Sequence, residues 1–368
     1  MIPWWETAPH TGALTPRGYP MQADAPEGIP APDLGRRTGR PARGPRRSTG
    51  PSLLAPGAAH DPYRLYRVLR EAYPLSYDVP LGAWLVSRYA DVATALTDPR
   101  FTGLPHDTAP RGGPAPLGLC HGSPRCAPRK HHAAAPGPIP RHLAARVERT
   151  AYVLARRIAG RQQADLVEEF CRWLPVGAAT GPSPRPYVPR PYVLRPSGTP
   201  AGAAALPCTR YTALRETALA SFLANVLDDP DLLAALRVEP ALADRAWTES
   251  LRRDPPVQVV LRRTVTEVAL SGGTLPAGAD VACLIGSAGR DPERFAAPDR
   301  FDPFRRDQGR SLTGPASCPA VLLGRLEAGQ GLGALLDAMP RLRWADGFRP
   351  AGTGLLTRGP RALLVRPG

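Results

Sequence analysis

Hydrophobic and polar positions along the chain fall into stretches with a clear rhythm, separated by stretches with none. DPYRLYRVLREAYPLSYD (61–78) carries its apolar residues at helical spacing, and LGAWLVSRYADVATALTDPRFTG (81–103) predicts a strand and then a helix that closes at Asp98-Pro99. PRHLAARVERTAYVLARRIAG (140–160) aligns Leu143, Val147, Ala151 and Leu154 on one helix side, and DLVEEFCRWLPV (165–176) continues the helical pattern. TALRETALASFLANVLDDPDLLAALRVEP (212–240) predicts a long helix and a successor. After it, Pro255 and Pro256 stop the helix of ESLRRDPPVQ, TVTEVAL (264–270) alternates like a strand, Gly272-Gly273 make a turn and Asp291-Pro292 opens another. RLEAGQGLGALLDAMPRLRW (325–344) predicts a last helix, followed by a strand pair ending at ALLVRP.

Three segments lack any such period. Residues 1–59 are rich in Pro, Gly and Arg and predict a largely disordered N-terminal segment, with Trp4 and Trp5 as an aromatic exception that docks on the chain's own body or on a partner. Residues 104–138 are dense in Pro, Gly, Ala and His, and 177–207 is roughly one quarter proline against a usual ~5%. Neither can bury a face as helix or strand. The expected organisation is therefore one domain over 60–368 with two irregular stretches inside it, mainly α with small β-sheets.

Lys and Arg outnumber Asp and Glu, 47 to 32, for a net charge of +15. That excess ordinarily suggests nucleic acid, but Lys130 is the only lysine and the arginines accompany Ala, Gly and Pro as in GC-rich coding. The dense run from Arg36 to Arg47 lacks interleaved aromatics for base stacking, so no nucleic-acid partner is expected. Cys120, Cys126, Cys171, Cys208, Cys283 and Cys318 form no CxxC pair or disulfide framework, which points to a reducing compartment. Cys120, His121, Cys126, His131 and His132 fit no common zinc spacing, and GTGLLTRG near the end lacks the strand-to-helix context of a phosphate cradle. Nowhere do about 18 apolar residues run together, so a soluble, cytoplasmic protein without a membrane partner is expected.

Glu249 and Arg252, three apart, share one helix face and can pair while the guanidinium offers its other donors elsewhere. With the short sheet after it and GRDPERFAAPDRFDPFR ending in Arg300-Phe301-Asp302-Pro303, this order of elements resembles the cytochrome P-450 superfamily. The resemblance implies a shortened form of that fold. In the family a Cys ligates haem iron, in a loop written Phe-Gly-x-Gly-x-His-x-Cys-x-Gly-x-x-Leu-Ala-Arg. Aligning on Leu323-Gly324-Arg325 puts Cys318 at the ligand position and Gly314 at the second glycine, but Ser311 replaces the Phe, Leu312 the first Gly, Ala316 the His and Ala320 the Gly after the ligand. The central-helix signature Ala-Gly-x-Glu/Asp-Thr becomes Ala213-Leu214-Arg215-Glu216-Thr217, with Leu214 where the family needs Gly. Ala127 and His131 stand at two propionate-binding positions, and Arg263 matches the third.

These losses resemble one group within the superfamily: haem-free auxiliary proteins that bind and activate the glycosyltransferases attaching deoxy(amino)sugars in macrolide or anthracycline-type antibiotic biosynthesis. The resemblance implies no cofactor, a glycosyltransferase partner, and a contact surface for which Trp4, Trp5, Tyr63 and Tyr66 are candidates, with Arg36 to Arg47 supplying charge complementarity. The alternative is a haem-thiolate monooxygenase of secondary metabolism using Cys318 and Arg263. A nucleotide-sugar isomerase lacks a paired acid and base, and frame errors in GC-rich DNA would account for the proline-rich stretches but not for Leu214 or the Cys318 loop.

Overall fold

The computed structural model describes residues 50–103, 139–180, 212–307, 312 and 319–368. Helix α1 (Pro62–Ala72) starts with Asp61 accepting from the Tyr63 N–H and with Pro62 in its first turn, then leads into the hairpin β1 (Leu75–Asp78) and β2 (Ala83–Val86). Helix α2 (Tyr89–Thr97) ends at Asp98, and β3 (Phe101–Gly103) follows. After the first proline-rich stretch come α3 (Arg141–Ala159), β4 (Ala164–Asp165), one π-helical turn (Val167–Cys171) and α4 (Trp173–Thr180). The next run is helical: α5 (Thr212–Leu227), α6 (Pro230–Val238) and α7 (Leu242–Arg253).

Strands β5 (Val259–Thr264), β6 (Val268–Leu270), β7 (Gly273–Leu275) and β8 (Asp280–Leu284) precede a short α8 (Ile285–Ala288). The chain ends with α9 (Pro319–Ala338), β9 (Arg343–Trp344), the hairpin β10 (Gly352–Thr353) and β11 (Gly359–Pro360), and β12 (Leu364–Arg366). Five strands form one sheet in the order β1-β2-β8-β5-β3, in which β2 and β8 run parallel and the other neighbours antiparallel. A smaller sheet takes the order β4-β12-β9.

The expected mainly helical fold with small sheets is what forms, with two local differences. TVTEVAL is not one strand: β5 ends at Thr264, the Val265 N–H donates to the Arg100 carbonyl, and pairing resumes only at Val268. The ordered body also begins before residue 60. Leu53 is 1% exposed, and its N–H and the Ser52 hydroxyl both donate to the Asp78 carboxylate, at 2.7 and 2.8 Å. Residues 50–59 thus belong to the packed domain, because one inward leucine and one buried carboxylate anchor them. Trp4, Trp5 and Arg36 to Arg47 lie outside the described residues.

The largest core is helical, built from Val147 and Leu154 of α3, Phe170 of the π turn, Phe222 and Leu223 of α5, and Leu332 and Leu335 of α9. The main sheet has two different faces. Val259, Ala282 and Leu284 face α1 through Tyr66 and Leu69, whereas Val260, Val281 and Cys283 face Val92 and Ala95 of α2, with Leu214 of α5 packed against that side. The alternation of β5 and β8 thus splits one apolar run between two packing layers.

Candidate functional site

Glu249 and Arg252 lie on the buried face of α7 and form a bidentate pair, both N···O distances 2.8 Å, with the two side chains essentially inaccessible. The rest of the guanidinium donates to the carbonyls of Gly289, Pro298 and Arg300, tying the helix to the segment after the sheet. A third member closes the cluster. Arg305 Nε donates to both Glu249 oxygens at 3.0 Å, and the Asp302 N–H donates to Glu249 Oε1 at 2.9 Å. Helical spacing shows the pair but not Arg305, which ends GRDPERFAAPDRFDPFR; its signal is an arginine after Asp-Pro at the point where the chain returns to the helix.

Among the described residues, the signature residues of α5 pack against the sheet, α9 and the C-terminal hairpin. Leu214 is half-buried and joins the apolar side of the main sheet, together with Leu312. Arg215 is buried and paired with Glu327 of α9, and it also donates to the Pro175 carbonyl at 3.3 Å. Burial pushes the Glu327 carboxyl up to about 7, against the pull of the Arg215 charge. This pair escaped sequence reading; its signal is a lone Arg between Leu214 and Ala218 and a lone Glu within a helix of Leu, Ala and Gly. A Cβ at Gly324, where the family pattern has Ala, would lie 3.1 Å from the Trp247 ring, so glycine admits that tryptophan. Glu216 faces Arg172 at 3.6 Å, and burial raises its carboxyl above the usual range.

Thr217 donates its hydroxyl to the Ala213 carbonyl at 2.9 Å, a back-bond to its own helix. Gly359 of β11 packs directly over it: a Cβ there would fall 2.5 Å from Thr217 Cγ2 and 3.4 Å from Ser221 Oγ. The C-terminal hairpin thereby covers the stretch of α5 that in the family handles bound oxygen.

Strand alternation separates the two sheet arginines. Arg263 points outward and makes a bidentate pair with Asp280, 2.7 and 2.9 Å, on a side chain about two-fifths exposed. Arg262 is the inward one. It is 5% exposed, burial lowers its basicity below the usual arginine range, and it shares the face of β5 with Val260, the side on which Leu214 packs. Period-two reading from Val260 would have selected it.

Tyr66 is fully buried and has no ring face for a partner, and Tyr63 is partly buried. The Tyr63 hydroxyl donates to Asp254 at 3.0 Å and its ring lies 3.4 Å beneath the Arg290 guanidinium. Both are core-facing because α1 presents this side to the sheet and to the end of α7. Gly314, Cys318, Ala316, Ala127 and His131 lie outside the described residues, as do the Cys and His residues from Cys120 to His132. Among the described residues no group of His, Cys, Asp and Glu could hold a metal ion, and no helix is long and apolar enough to cross a membrane.

Residues 228–317 match the sequence model of the Cytochrome P450 family. The fold agrees: the crystal structure of CYP109E1 from Bacillus megaterium with corticosterone superposes at a TM-score of 0.67, covering 84% of this chain and 99% of that one at 19% identity. The chain thus has the cytochrome P450 fold, and its residues 228–317 carry that family's sequence pattern. Curated relatives of this P450-fold chain include Cytochrome P450 107B1 of Saccharopolyspora erythraea, 40% identical over 150 residues, 39% of this chain and 37% of that protein. Protein DesVIII of Streptomyces venezuelae is 39% identical over 168 residues, 43% of this chain and 41% of that protein. The chain thus spans about two fifths of the length of the curated relatives it matches. P450 proteins normally bind haem. In this chain Leu214 stands at the glycine position of α5 against the sheet side, and Gly359 packs on Thr217.

Proposed function

We propose that this chain is a haem-free auxiliary protein that binds and activates a glycosyltransferase attaching a deoxy(amino)sugar in antibiotic biosynthesis. The observation that carries this reading is the covered α5 face: the threonine that would serve bound oxygen is bonded to its own helix and lies beneath β11. The replaced positions around Cys318 and the match to Protein DesVIII support it. Activation requires only that the chain bind the active conformer of its partner better than the inactive one, so no catalytic group is needed here.

The competing reading, a monooxygenase using Cys318, draws on the inward Arg262 and on relatives named as cytochromes P450. Two measurements separate them. Co-expression with a macrolide-type glycosyltransferase, followed by co-purification and a sugar-transfer assay, should give a complex and a raised rate. Neither complex nor rate change sinks the auxiliary role. A red-shifted Soret band in the reduced, carbonyl-bound purified protein decides for the oxygenase, and Cys318→Ala should then abolish it.

A further inference from the structure

Beyond Thr217 a cleft of ≈ 180 Å³ runs along α5, walled by the end of α7 and the β10–β11 hairpin. It exceeds the roughly 150 Å³ cavity that holds one benzene. Most charge around it is already used. Asp254 accepts from the Tyr63 hydroxyl at 3.0 Å, from Asn225 Nδ2 at 3.1 Å and from Arg290 at 2.7 Å. Arg253 donates to Asn225 Oδ1 and the Asp299 carbonyl, and Arg358 donates to the carbonyls of Ala59 and His60.

Two lining groups are left over. Ser221 lines the cleft, where its hydroxyl is accessible and not engaged by another side chain among the described residues. Asp228, exposed at the end of α5, carries a carboxylate that no guanidinium neutralises among the described residues. Residues 221, 225 and 228 follow helical spacing, so the two groups lie on one stripe about 10 Å apart. The Ser221 hydroxyl opens to the cleft, so a ligand oxygen or nitrogen can take the place of the water it would otherwise bond. The free carboxylate sets the sign of the ligand's charge, since it repels anions and gains a charge-assisted bond from an ammonium group.

We infer that this cleft binds a small hydroxylated ammonium compound of monosaccharide size, its ammonium group on Asp228 and a hydroxyl on Ser221. The site stands on the cleft alone and does not rest on the auxiliary role. Calorimetric titration of the full chain, without any glycosyltransferase, tests it with D-glucosamine, D-glucose and a glucose phosphate as probes. Glucosamine should bind more tightly than glucose, and the phosphate least. Asp228→Asn should weaken glucosamine about tenfold and leave glucose unchanged, while Ser221→Ala weakens both severalfold. Both variants should melt with the parent, since one position is exposed and the other loses no internal bond. Absent saturable binding of glucosamine, its unchanged affinity in Asp228→Asn, or a preference for the phosphate overturns the inference.

Discussion

Replacing Gly359 by Ala tests the covered α5 face directly, because two effects of opposite sign compete. Gly359 is not among the glycines with positive φ, so in open space Ala would stabilise by about 0.4–1 kcal/mol through a less flexible unfolded chain. The space is not open. The new Cβ would sit 2.5 Å from Thr217 Cγ2 and 3.3 Å from the Thr217 carbonyl oxygen, against an optimum carbon separation of about 3.5–4.0 Å. The hairpin must lift by roughly 1 Å, and overpacking of this kind costs about 1–3 kcal/mol, which outweighs the gain. Urea unfolding of the full chain should therefore show a lower midpoint at an unchanged slope. Thr217→Ser removes the obstructing methyl and keeps the hydroxyl bonded to Ala213. In that background Gly359→Ala should be better tolerated, with a coupling of about 0.5–3 kcal/mol. A Gly359→Ala protein as stable as the parent, or equally damaged in both backgrounds, would refute the contact and with it the covered helix.

Three further outcomes follow from the same geometry. Glu249→Ala leaves Arg252 and Arg305 buried together without their carboxylate, a loss of about 3–5 kcal/mol; an unchanged urea midpoint would remove the cluster from the account of stability. Leu214→Gly should destabilise by roughly 2–4 kcal/mol, combining a half-buried leucine with glycine inside a helix, and should not confer a haem spectrum; a stable variant that takes up haem contradicts it. Glu327, raised from 4.5 to about 7, binds its proton more tightly folded than unfolded, so its stabilisation is full below about pH 4.5 and is lost as pH rises to about 7. Relative to Glu327→Gln, parent stability should fall across that window, and parallel pH profiles would count against the buried carboxyl.

Much of the fold was legible because period and punctuation agreed. The face of α3 through Val147, Ala151 and Leu154 is buried as its spacing predicts, and α7 stops before Pro255. The Glu249–Arg252 pair was legible for the same reason, since helical spacing alone brings those groups together. What escaped depends on contacts between distant segments. Arg215 meets Glu327 across 112 residues, a pairing that no local pattern encodes. Arg262 escaped for a different reason: adjacent arginines look alike in sequence, and only the strand's phase decides which is inside. Tyr63 and Tyr66 resembled surface aromatics because α1 is short and polar, yet Arg290 and the sheet claim their rings.

The Arg215–Glu327 pair also bears on how α9 is held. Between Gly324 and Gly333 this helix carries glycine at 324, 329, 331 and 333, and two of these are sockets: Gly324 admits Trp247, and Gly331 lets Leu174 and Phe170 approach. Side chains seated over glycines already limit how far such a helix can slide. The Arg215–Glu327 contact adds to that limit, because displacing α9 by one residue in either direction would strand a guanidinium and a carboxyl group opposite carbon. The pair therefore acts as a polar detent beside the apolar sockets, so that shape and hydrogen bonding select the same resting place of α9 against α5.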